Sequence, residues 1–250
     1  MPLLDIVYPV GPGDKNDDLR YSLRSLEKFA RPVYRKIVIV GHAPSWIKNV
    51  DVIKVPQNRD KWLNARVNIE TACGCEKITN DFVLFNDDFI LTEPVISWQS
   101  IANSYLGTLR ERGAEYANLE NAGEWKRGFE FNRKLLQQLG IMEPLNFEVH
   151  GPIIFNREKR LHLFEREELR KYRQRSDKLL FQRSIYKNLY PDRDPTLIRD
   201  PKLLGDRKDL PQYASGFFSV TDNLIGNKEA APNLNHWLDE HLNFKSSFEK

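Results

Sequence analysis

The chain has 250 residues, of which 40% are hydrophobic and 29% are charged. These proportions are ordinary for a soluble globular protein, and the length allows one large domain or two small ones with a substantial core. The 38 basic and 35 acidic residues give a formal net charge of +3, so the chain is not a general polycation. This charge permits a polyanionic partner but does not require one.

One segment, residues 157–183, is locally basic and suited to meeting phosphates, although a solvated helix face explains the same charges. Cys73 and Cys75 lie two apart in a predicted helix, so their side chains diverge and neither a disulfide nor a shared metal is expected. No basic segment followed by an apolar stretch marks a signal peptide, and no apolar run approaches the roughly 18 residues of a membrane span. We therefore expect a cytoplasmic protein without a transmembrane segment.

The first third of the sequence alternates between apolar runs and helical patterns. Asp17 and Asp18 are suited to the N-cap and first turn of the first helix. This alternation predicts βαβ units and a Rossmann-like α/β fold with a mostly parallel sheet. The predicted strands and helices cover residues 3–10, 19–29, 36–40, 50–55, 63–75 and 82–85, the second and fifth of these being helices.

After Thr92 the pattern becomes mainly helical, which predicts a helical C-terminal extension packed on the first part rather than an independent domain. The predicted helices cover 97–112, 132–139, 157–173, 177–190 and 234–242, and a long loop covers 191–216.

Two polar segments follow predicted strands directly. A Gly-Pro-Gly loop occupies 11–13, and Asn86-Asp87-Asp88 follows a fully apolar strand. Ligands of parallel sheets bind beyond the carboxyl ends of the strands, where both segments fall. Two adjacent carboxylates are costly to bury, and a Mg²⁺ ion that bridges diphosphate oxygens would offset that cost. The alternative is a turn with an Asx cap, which the tripeptide also suits.

Other candidate residues are a histidine and several arginines. His150 precedes a Gly-Pro turn and could act as a general acid or base, although a lone histidine is more often structural. Arg20 and Arg24 share a helix face, and their guanidinium groups suit phosphate oxygens, as do those of Arg173 and Arg175. Exposed arginines are common on helices, so each is weak evidence when taken alone.

Several familiar motifs are absent. The sequence has no phosphate-binding loop of the P-loop type, no dinucleotide fingerprint, no nucleophile elbow and no zinc-ligand spacing. P-loop kinases, dehydrogenases and serine hydrolases are therefore disfavoured.

Residues 19–28 read Leu-Arg-Tyr-Ser-Leu-Arg-Ser-Leu-Glu-Lys, and residues 85–88 read Phe-Asn-Asp-Asp. These segments open and close the most specific of four blocks that, in order, resemble the Stealth family. That family includes bacterial capsule polymerases and the lysosomal-enzyme N-acetylglucosamine-1-phosphotransferase. The matching residues are 5–11 in the first block; 19–28, 35–40, 44–47, 68–70 and 85–88 in the second; 150–152, 156–157, Arg173, Asp177, 180–181 and Tyr186 in the third; and 237–238 with 246–250 in the fourth.

The sequence also departs from the family pattern. Pro9-Val10 stands where the family has a tryptophan, Leu63-Asn64-Ala65 replaces a Phe-Asn-Ser segment, and Asn68 replaces an alanine. These departures leave the choice of sugar and of acceptor open.

The resemblance implies a single catalytic domain over residues 1–250, with a nucleotide-binding α/β core at 1–95 and a mainly helical remainder at 96–250 that completes the site. It implies transfer of a sugar-1-phosphate from a nucleotide diphosphate sugar, UDP-linked by analogy, to a hydroxyl acceptor with release of a nucleoside monophosphate. The acceptor could be a glycan, a lipid-linked saccharide, a protein or modified DNA. Mg²⁺ or Mn²⁺ is the expected cofactor.

The resemblance also implies roles for individual residues. As catalytic residues, Asp87 and Asp88 would bind the metal or activate the acceptor, His150 would be the general base, Arg173 would hold the diphosphate and Asp177 would orient an arginine or the sugar. As substrate-binding residues, we expect Tyr8 and Gly11 in the nucleotide loop, Arg20 and Arg24 on the diphosphate, Glu70 on sugar hydroxyls, and Asn86 and Arg157.

Two alternatives remain open. The first is a metal-dependent glycosyltransferase, which would release a nucleoside diphosphate from a similar architecture. The second is a non-catalytic scaffold that binds glycan or nucleic acid.

Overall fold

The computed structural model describes residues 2–117, 123–172, 180–213 and 216–250. Two residues predicted to be catalytic, Arg173 and Asp177, lie outside the described residues. Their roles remain predictions.

The first part of the chain alternates strands and helices in the predicted order. Its elements are β1 (Leu4–Val10), α1 (Asp17–Phe29), β2 (Tyr34–Gly41), β3 (Asp51–Lys54), α2 (Lys61–Gly74), β4 (Asp81–Leu84) and β5 (Phe89–Leu91).

The second part is more varied than predicted. Its elements are α3 (Trp98–Ala102), β6 (Ser104–Tyr105), α4 (Leu109–Ala117), α5 (Gly123–Gln138), β7 (Ile153–Asn156), α6 (Arg157–His162), a 3₁₀ turn (Leu163–Glu165), α7 (Glu167–Arg170), α8 (Gln182–Leu189), β8 (Thr196–Leu197), β9 (Lys202–Leu203), α9 (Leu210–Tyr213), β10 (Phe217–Val220) and α10 (Pro232–Leu242).

The central sheet has the strand order β3-β2-β1-β4-β7. All neighbouring strands are parallel except β7, which runs antiparallel to β4. Val7 of β1 pairs with Val38 on one side and Leu84 on the other, so β1 lies at the centre. The mixed α/β fold with a mostly parallel sheet is confirmed, and the later part of the chain contributes its antiparallel edge strand.

Alternate side chains of β1 enter the core on opposite faces of the sheet, as the period of two in a strand requires. Ile6 and Tyr8 belong to one buried cluster with Leu19 of α1, whereas Val7 belongs to the other with Ala72 of α2. Both faces of β1 are therefore covered, which explains why its sequence is almost continuously apolar.

The start of α1 differs in detail from the prediction. The N-cap is Asn16, whose side-chain oxygen accepts a hydrogen bond from the backbone N–H of Leu19 at 3.0 Å. Asp17 and Asp18 occupy the first turn, where the helix dipole favours negative charge. Because Asn16 caps the helix, the side chain of Asp18 is not needed as the N-cap.

Two long helices predicted in the second part are interrupted. The one at 97–112 ends at Ala102 and resumes at Leu109, because the chain between them forms β6, which pairs with β8, and passes through Gly107 at a φ of 100°. The one at 157–173 is divided among α6, the 3₁₀ turn and α7. Tertiary pairing has overridden local helical propensity.

The predicted loop at 191–216 contains β8, β9 and α9. Strand β9 pairs with β10, and β10 pairs with β5, which forms a three-stranded sheet in the order β5-β10-β9. This sheet brings Lys202 and Ser219 into register with each other, close behind the Asn86-Asp87-Asp88 segment. Among the described residues, no helix combines the length and the apolar composition needed to cross a bilayer.

Candidate active site

The carboxyl ends of β1, β2 and β4 lie at one edge of the central sheet, and Asn86-Asp87-Asp88 follows β4 there. The Asn16 side chain donates a hydrogen bond from Nδ2 to Oδ2 of Asp87 at 2.9 Å, while its Oδ1 caps α1. Asn16 adopts a left-handed conformation with a φ of 32°, which this pair of bonds stabilises. One amide therefore fixes Asp87 to the loop between β1 and α1.

Four carboxylates approach one another at this edge. Burial raises the pKa of Asp87, and the neighbouring charges of Asp88 and Asp222 raise it further, against the hydrogen bond from Asn16. Burial, followed by the charges of Asp87, Asp88 and Asp222, raises the pKa of Asp18 to about 7. The cluster therefore holds more negative charge than its own contacts neutralise.

The donor chemistry of this cluster fits a hard divalent cation, because carboxylate oxygens are the ligands that Mg²⁺ and Mn²⁺ prefer. Within the described part of the chain, however, no three Asp, Glu, His or Cys side chains are arranged as a complete metal site. Any divalent cation here would therefore be held by only one or two protein carboxylates, as Mg²⁺ commonly is.

Asp88 is held by groups that the sequence alone did not identify. The Lys202 ammonium donates to Oδ2 of Asp88 at 2.9 Å, to Oγ of Ser219 at 3.0 Å and to the Val220 carbonyl oxygen at 2.7 Å. The Ser219 hydroxyl in turn donates to Oδ2 of Asp88 at 2.6 Å. An ammonium has three protons, and all three are used here. Asp88 therefore has a positively charged partner, Lys202, whereas the side-chain partner of Asp87 is the neutral amide of Asn16.

His150 forms a second pair, with Asp200. Its Nδ1 lies 2.9 Å from Oδ2 of Asp200, and its backbone N–H donates to Oδ1 at 3.3 Å. Burial would raise the pKa of Asp200, but the hydrogen bond and charge of His150 outweigh it and hold that pKa below its ordinary value.

The geometry of the pair indicates which nitrogen of the imidazole is the donor. Because a carboxylate can only accept hydrogen bonds, Nδ1 of His150 donates to Asp200, and Nε2 is left outside this pair. The His150 side chain is 43% exposed, so an acceptor hydroxyl can reach it. The pair has the arrangement of a general base and the carboxylate that orients it.

Arg183 connects the two pairs electrostatically. It is partly buried, and one of its terminal nitrogens donates to the carbonyl oxygens of Val149 and Gly151, both at 2.7 Å. Burial lowers the pKa of Arg183, and the charges of Glu148, Asp88 and Asp200 oppose that shift. Arg183 therefore lies close enough to both the Asp88 and the His150–Asp200 pair to act on their charges.

A short stretch of chain also joins the pairs. Asp200 and Lys202 are two residues apart, so one turn-free segment supplies the partner of His150 and the partner of Asp88. The hydroxyl of Tyr213 donates to the Asp200 carbonyl oxygen at 2.7 Å and steadies this segment. The two pairs therefore form one site rather than two.

Tyr8 and Gly11, which were predicted to bind the nucleotide, lie at the carboxyl end of β1. Tyr8 is fully buried, its hydroxyl lies 2.8 Å from that of Ser22, and burial raises its pKa well above the ordinary value. Its ring is part of the core and is not presented to a ligand. Gly11 lies in the loop, and an added Cβ would meet no atom within 4 Å, so the backbone there is open to approach.

The side chains of Arg20 and Arg24 form their contacts with Glu249 and Leu242 rather than with the strand-end cluster. Arg24 donates from Nε and Nη2 to the two carboxylate oxygens of Glu249, at 2.8 and 2.9 Å, and from Nη1 to the Leu242 carbonyl oxygen at 3.2 Å. Arg20 lies 3.2 Å from Glu249 and stacks over the Trp46 ring at 4.0 Å. Phosphate binding by either arginine stays a prediction, and it would require these contacts to break.

The structure does not bring Arg157 or Glu70 to the strand-end cluster. Antiparallel β7 carries the chain to the amino edge of the sheet, where Arg157 donates to the carbonyl oxygens of Cys73 and Ile78 at 2.9 and 3.1 Å. Glu70 lies on α2 near Cys73 and the buried Arg160 of α6. Both positions favour structural roles between α2 and α6.

Sequence reasoning missed several residues of the site. Asp18 carried a signal, but its position before a helix was explained by capping. Lys202 and Ser219 carried none, because they lie more than 110 residues beyond Asp88 and meet it only through the second sheet. Asp200 lies 50 residues beyond its partner His150 and was also missed. Four further residues near the site were missed: Asn16, Glu148, Arg183 and Asp222.

Comparison with known proteins gives a limited result. No protein-family model and no curated protein matches the sequence, so the Stealth resemblance stays a prediction. Among solved structures, the chain is similar to the galactosyltransferase LgtC in complex with donor and acceptor sugar analogues, with 12% identity, coverage of 75% of this chain and 70% of that one, and a TM-score of 0.44. It is also similar to the apo form of the glycosyltransferase GlyE of Streptococcus pneumoniae TIGR4, with 13% identity, coverage of 80% and 46%, and a TM-score of 0.41. These values carry no argument about function.

Proposed function

We propose that this chain is a transferase that moves a sugar-1-phosphate from a nucleotide diphosphate sugar to a hydroxyl acceptor and releases a nucleoside monophosphate. The observation that carries the proposal is the meeting of the His150–Asp200 pair and the Asp87-Asp88 carboxylates at the carboxyl edge of a parallel sheet. One pair suits activation of a hydroxyl, and the other suits a metal-bound diphosphate. The sugar-1-phosphate chemistry itself rests on the family resemblance.

Asp87 is the proposed metal ligand, because Lys202 and Ser219 already neutralise Asp88. The charges of Asp18 and Asp222 add to the negative field at this position. When bound, Mg²⁺ or Mn²⁺ would neutralise the diphosphate and the leaving phosphate. The ammonium group of Lys202, paired with Asp88, would add a fixed positive charge beside the diphosphate.

In the proposed reaction, Nε2 of His150 accepts the proton of the acceptor hydroxyl. The acceptor oxygen forms a bond to the sugar-linked phosphorus, and the bond from that phosphorus to the bridging oxygen of the anhydride breaks. The nucleoside monophosphate leaves with that oxygen. Asp200 stabilises the imidazolium that results, since it remains ionised in the folded protein.

Glycosyl transfer is the competing interpretation, and it would use the same base at the sugar carbon instead of at phosphorus. The two reactions release different nucleotides. A screen of UDP-sugars with Mg²⁺ or Mn²⁺ therefore tests the proposal directly: UMP together with a phosphodiester-linked sugar supports it, and UDP with a glycosidic product refutes the phosphotransfer.

The role of the base is tested with His150→Ala, for which we expect at least a roughly hundredfold loss of turnover at a saturating donor. His236→Ala is a matched control, because His236 forms a comparable pair with Glu240 at 3.3 Å on the exposed side of α10. Near-native turnover in His150→Ala would refute the assignment. Failure of the wild-type chain to bind any nucleotide sugar with either metal would instead favour the non-catalytic scaffold.

A further inference from the structure

A cavity of about 180 Å³ lies beside the proposed site, on the α2 side of the sheet. It is bounded by the first turns of α2 and α8, by the end of β4 and by the segment that leads to His150. Its walls include Trp62, Trp125 and Phe181, and its polar groups include Arg66, Glu148 and Arg183. The site described above accounts for the last two residues but not for the cavity.

The aromatic wall is well defined. The rings of Trp125 and Phe181 lie 5.3 Å apart, and Trp62 remains 42% exposed at the mouth. Aromatic faces carry partial negative charge and attract the weakly positive C–H groups of an apolar ring face. A wall of this kind suits a flat, partly apolar ligand rather than a bare ion.

The polar part of the lining contains both signs of charge. Glu148 accepts a hydrogen bond from the backbone N–H of Ser184 at 2.9 Å through one oxygen, and burial raises its pKa. Arg183 lies beside it. A carboxyl group next to a guanidinium offers an acceptor and donors to neighbouring hydroxyl groups.

The position of the cavity follows from the strand order. The open loop at Gly11 lies at the end of β1, Asp87 and Asp88 follow β4, and the cavity lies beyond them between β4 and β7. A ligand laid along this edge would place a nucleotide at β1, a diphosphate at β4 and a further group in the cavity. Two lining residues of the cavity also interact with the segment of His150. The charge of His150 acts to lower the pKa of Glu148, and Arg183 donates a hydrogen bond to the carbonyl oxygen of Val149.

We propose that this cavity binds a single pyranose ring, with one C–H face against the aromatic wall and its hydroxyls toward Glu148 and Arg183. The inference rests on the proposed function for the identity of the neighbouring groups. The same ring chemistry could come from the sugar of the donor or from the terminal sugar of an acceptor glycan, and binding measurements separate the two.

The test compares wild-type protein with Trp62→Ala and Trp62→Phe, and with Ile96→Ala as a control, because Ile96 is a fully exposed apolar residue away from the cavity. Dissociation constants are measured by calorimetry with Mg²⁺ for UDP, for UDP-glucose, UDP-galactose and UDP-N-acetylglucosamine, and for the matching methyl glycosides. Since Trp62 lies in the first turn of α2 and is 42% exposed, its truncation should leave folding intact, which circular dichroism checks.

A loss of about fivefold or more in Trp62→Ala for a UDP-sugar, but not for UDP, supports the proposal and assigns the cavity to the donor sugar. A loss confined to a methyl glycoside supports it and assigns the cavity to the acceptor. Trp62→Phe should retain most of the affinity in either case. If wild type binds a UDP-sugar and Trp62→Ala binds every ligand equally well, the cavity assignment is wrong and the proposed function stands. If wild type binds neither nucleotide sugars nor glycosides, both are wrong.

Discussion

The strongest stability prediction concerns Glu249, the penultimate residue. Its side chain is only 2% exposed, and it accepts two hydrogen bonds from Arg24 and two from Ser246, at 2.8 to 3.0 Å. Burial alone would raise the pKa of Glu249, but these bonds and the charge of Arg24 outweigh it and lower that pKa from 4.5 to about 2. The folded state therefore strongly favours the ionised carboxylate.

The size of this effect follows from linkage. A pKa difference of this size, at about 1.4 kcal/mol per pKa unit, corresponds to about 3 kcal/mol of stabilisation. A carboxyl group with a lowered pKa stabilises the folded state fully above its unfolded pKa. That contribution is lost as the pH falls from about 4.5 toward 2.

We therefore expect Glu249→Gln to lower the free energy of unfolding by about 3 kcal/mol at pH 7, because the substitution removes this stabilised carboxylate. It also leaves the Arg24 guanidinium without its charged partner. The difference from wild type should shrink as the pH falls below 4.5. Urea denaturation at several pH values measures both effects. Glu240→Gln, at an exposed position on α10, should change stability by less than about 0.5 kcal/mol. A Glu249→Gln difference that is constant from pH 7 to pH 3, or as small as that of the control, would refute the reasoning.

Three further predictions concern the site and its surroundings. Mn²⁺ should raise the melting temperature of the wild type, and Asp87→Asn should abolish that rise in differential scanning fluorimetry; an equal rise in the variant would exclude Asp87 as the ligand. Lys202→Met should reduce turnover by roughly tenfold to a thousandfold in a coupled nucleotide-release assay, because it removes the charged partner of Asp88 beside the proposed diphosphate position; unchanged turnover would make Lys202 purely structural. Gly151→Ala should lower the free energy of unfolding by about 1–3 kcal/mol, because its Cβ would lie 2.2 Å from the Phe217 ring; an unchanged urea midpoint would contradict this packing.

The sheet could be predicted because its signals are local. The strand at Leu4–Val10 is apolar on both faces, and the segment before α1 carries turn and capping residues. The helical pattern of the second part was less reliable. There, strand pairing across long sequence separations, such as that between Ser219 and Lys202, decides the conformation, and periodicity within a window does not contain that information.

The same distinction explains the site. Asp87 and Asp88 were identified because two charges after an apolar strand are locally anomalous, and His150 because it precedes a fixed turn. Their partners lie in segments that look unremarkable in isolation. Arg24, in contrast, has the side chain and the spacing of a phosphate ligand, yet its contacts are with Glu249, which is distant in sequence. Residue type predicts what a group can bind but not which partner the fold supplies.

The second sheet also explains how two adjacent carboxylates can follow a buried strand. Lys202 and Ser219 neutralise Asp88, so the cost of burying that charge is offset within the protein itself. Asp87 receives one neutral amide from Asn16 and faces the charges of Asp18 and Asp88. Burial and these charges raise the pKa of Asp87, an effect that a bound cation would oppose. This asymmetry between the two aspartates is the reason for proposing Asp87, rather than Asp88, as the residue that meets a cation.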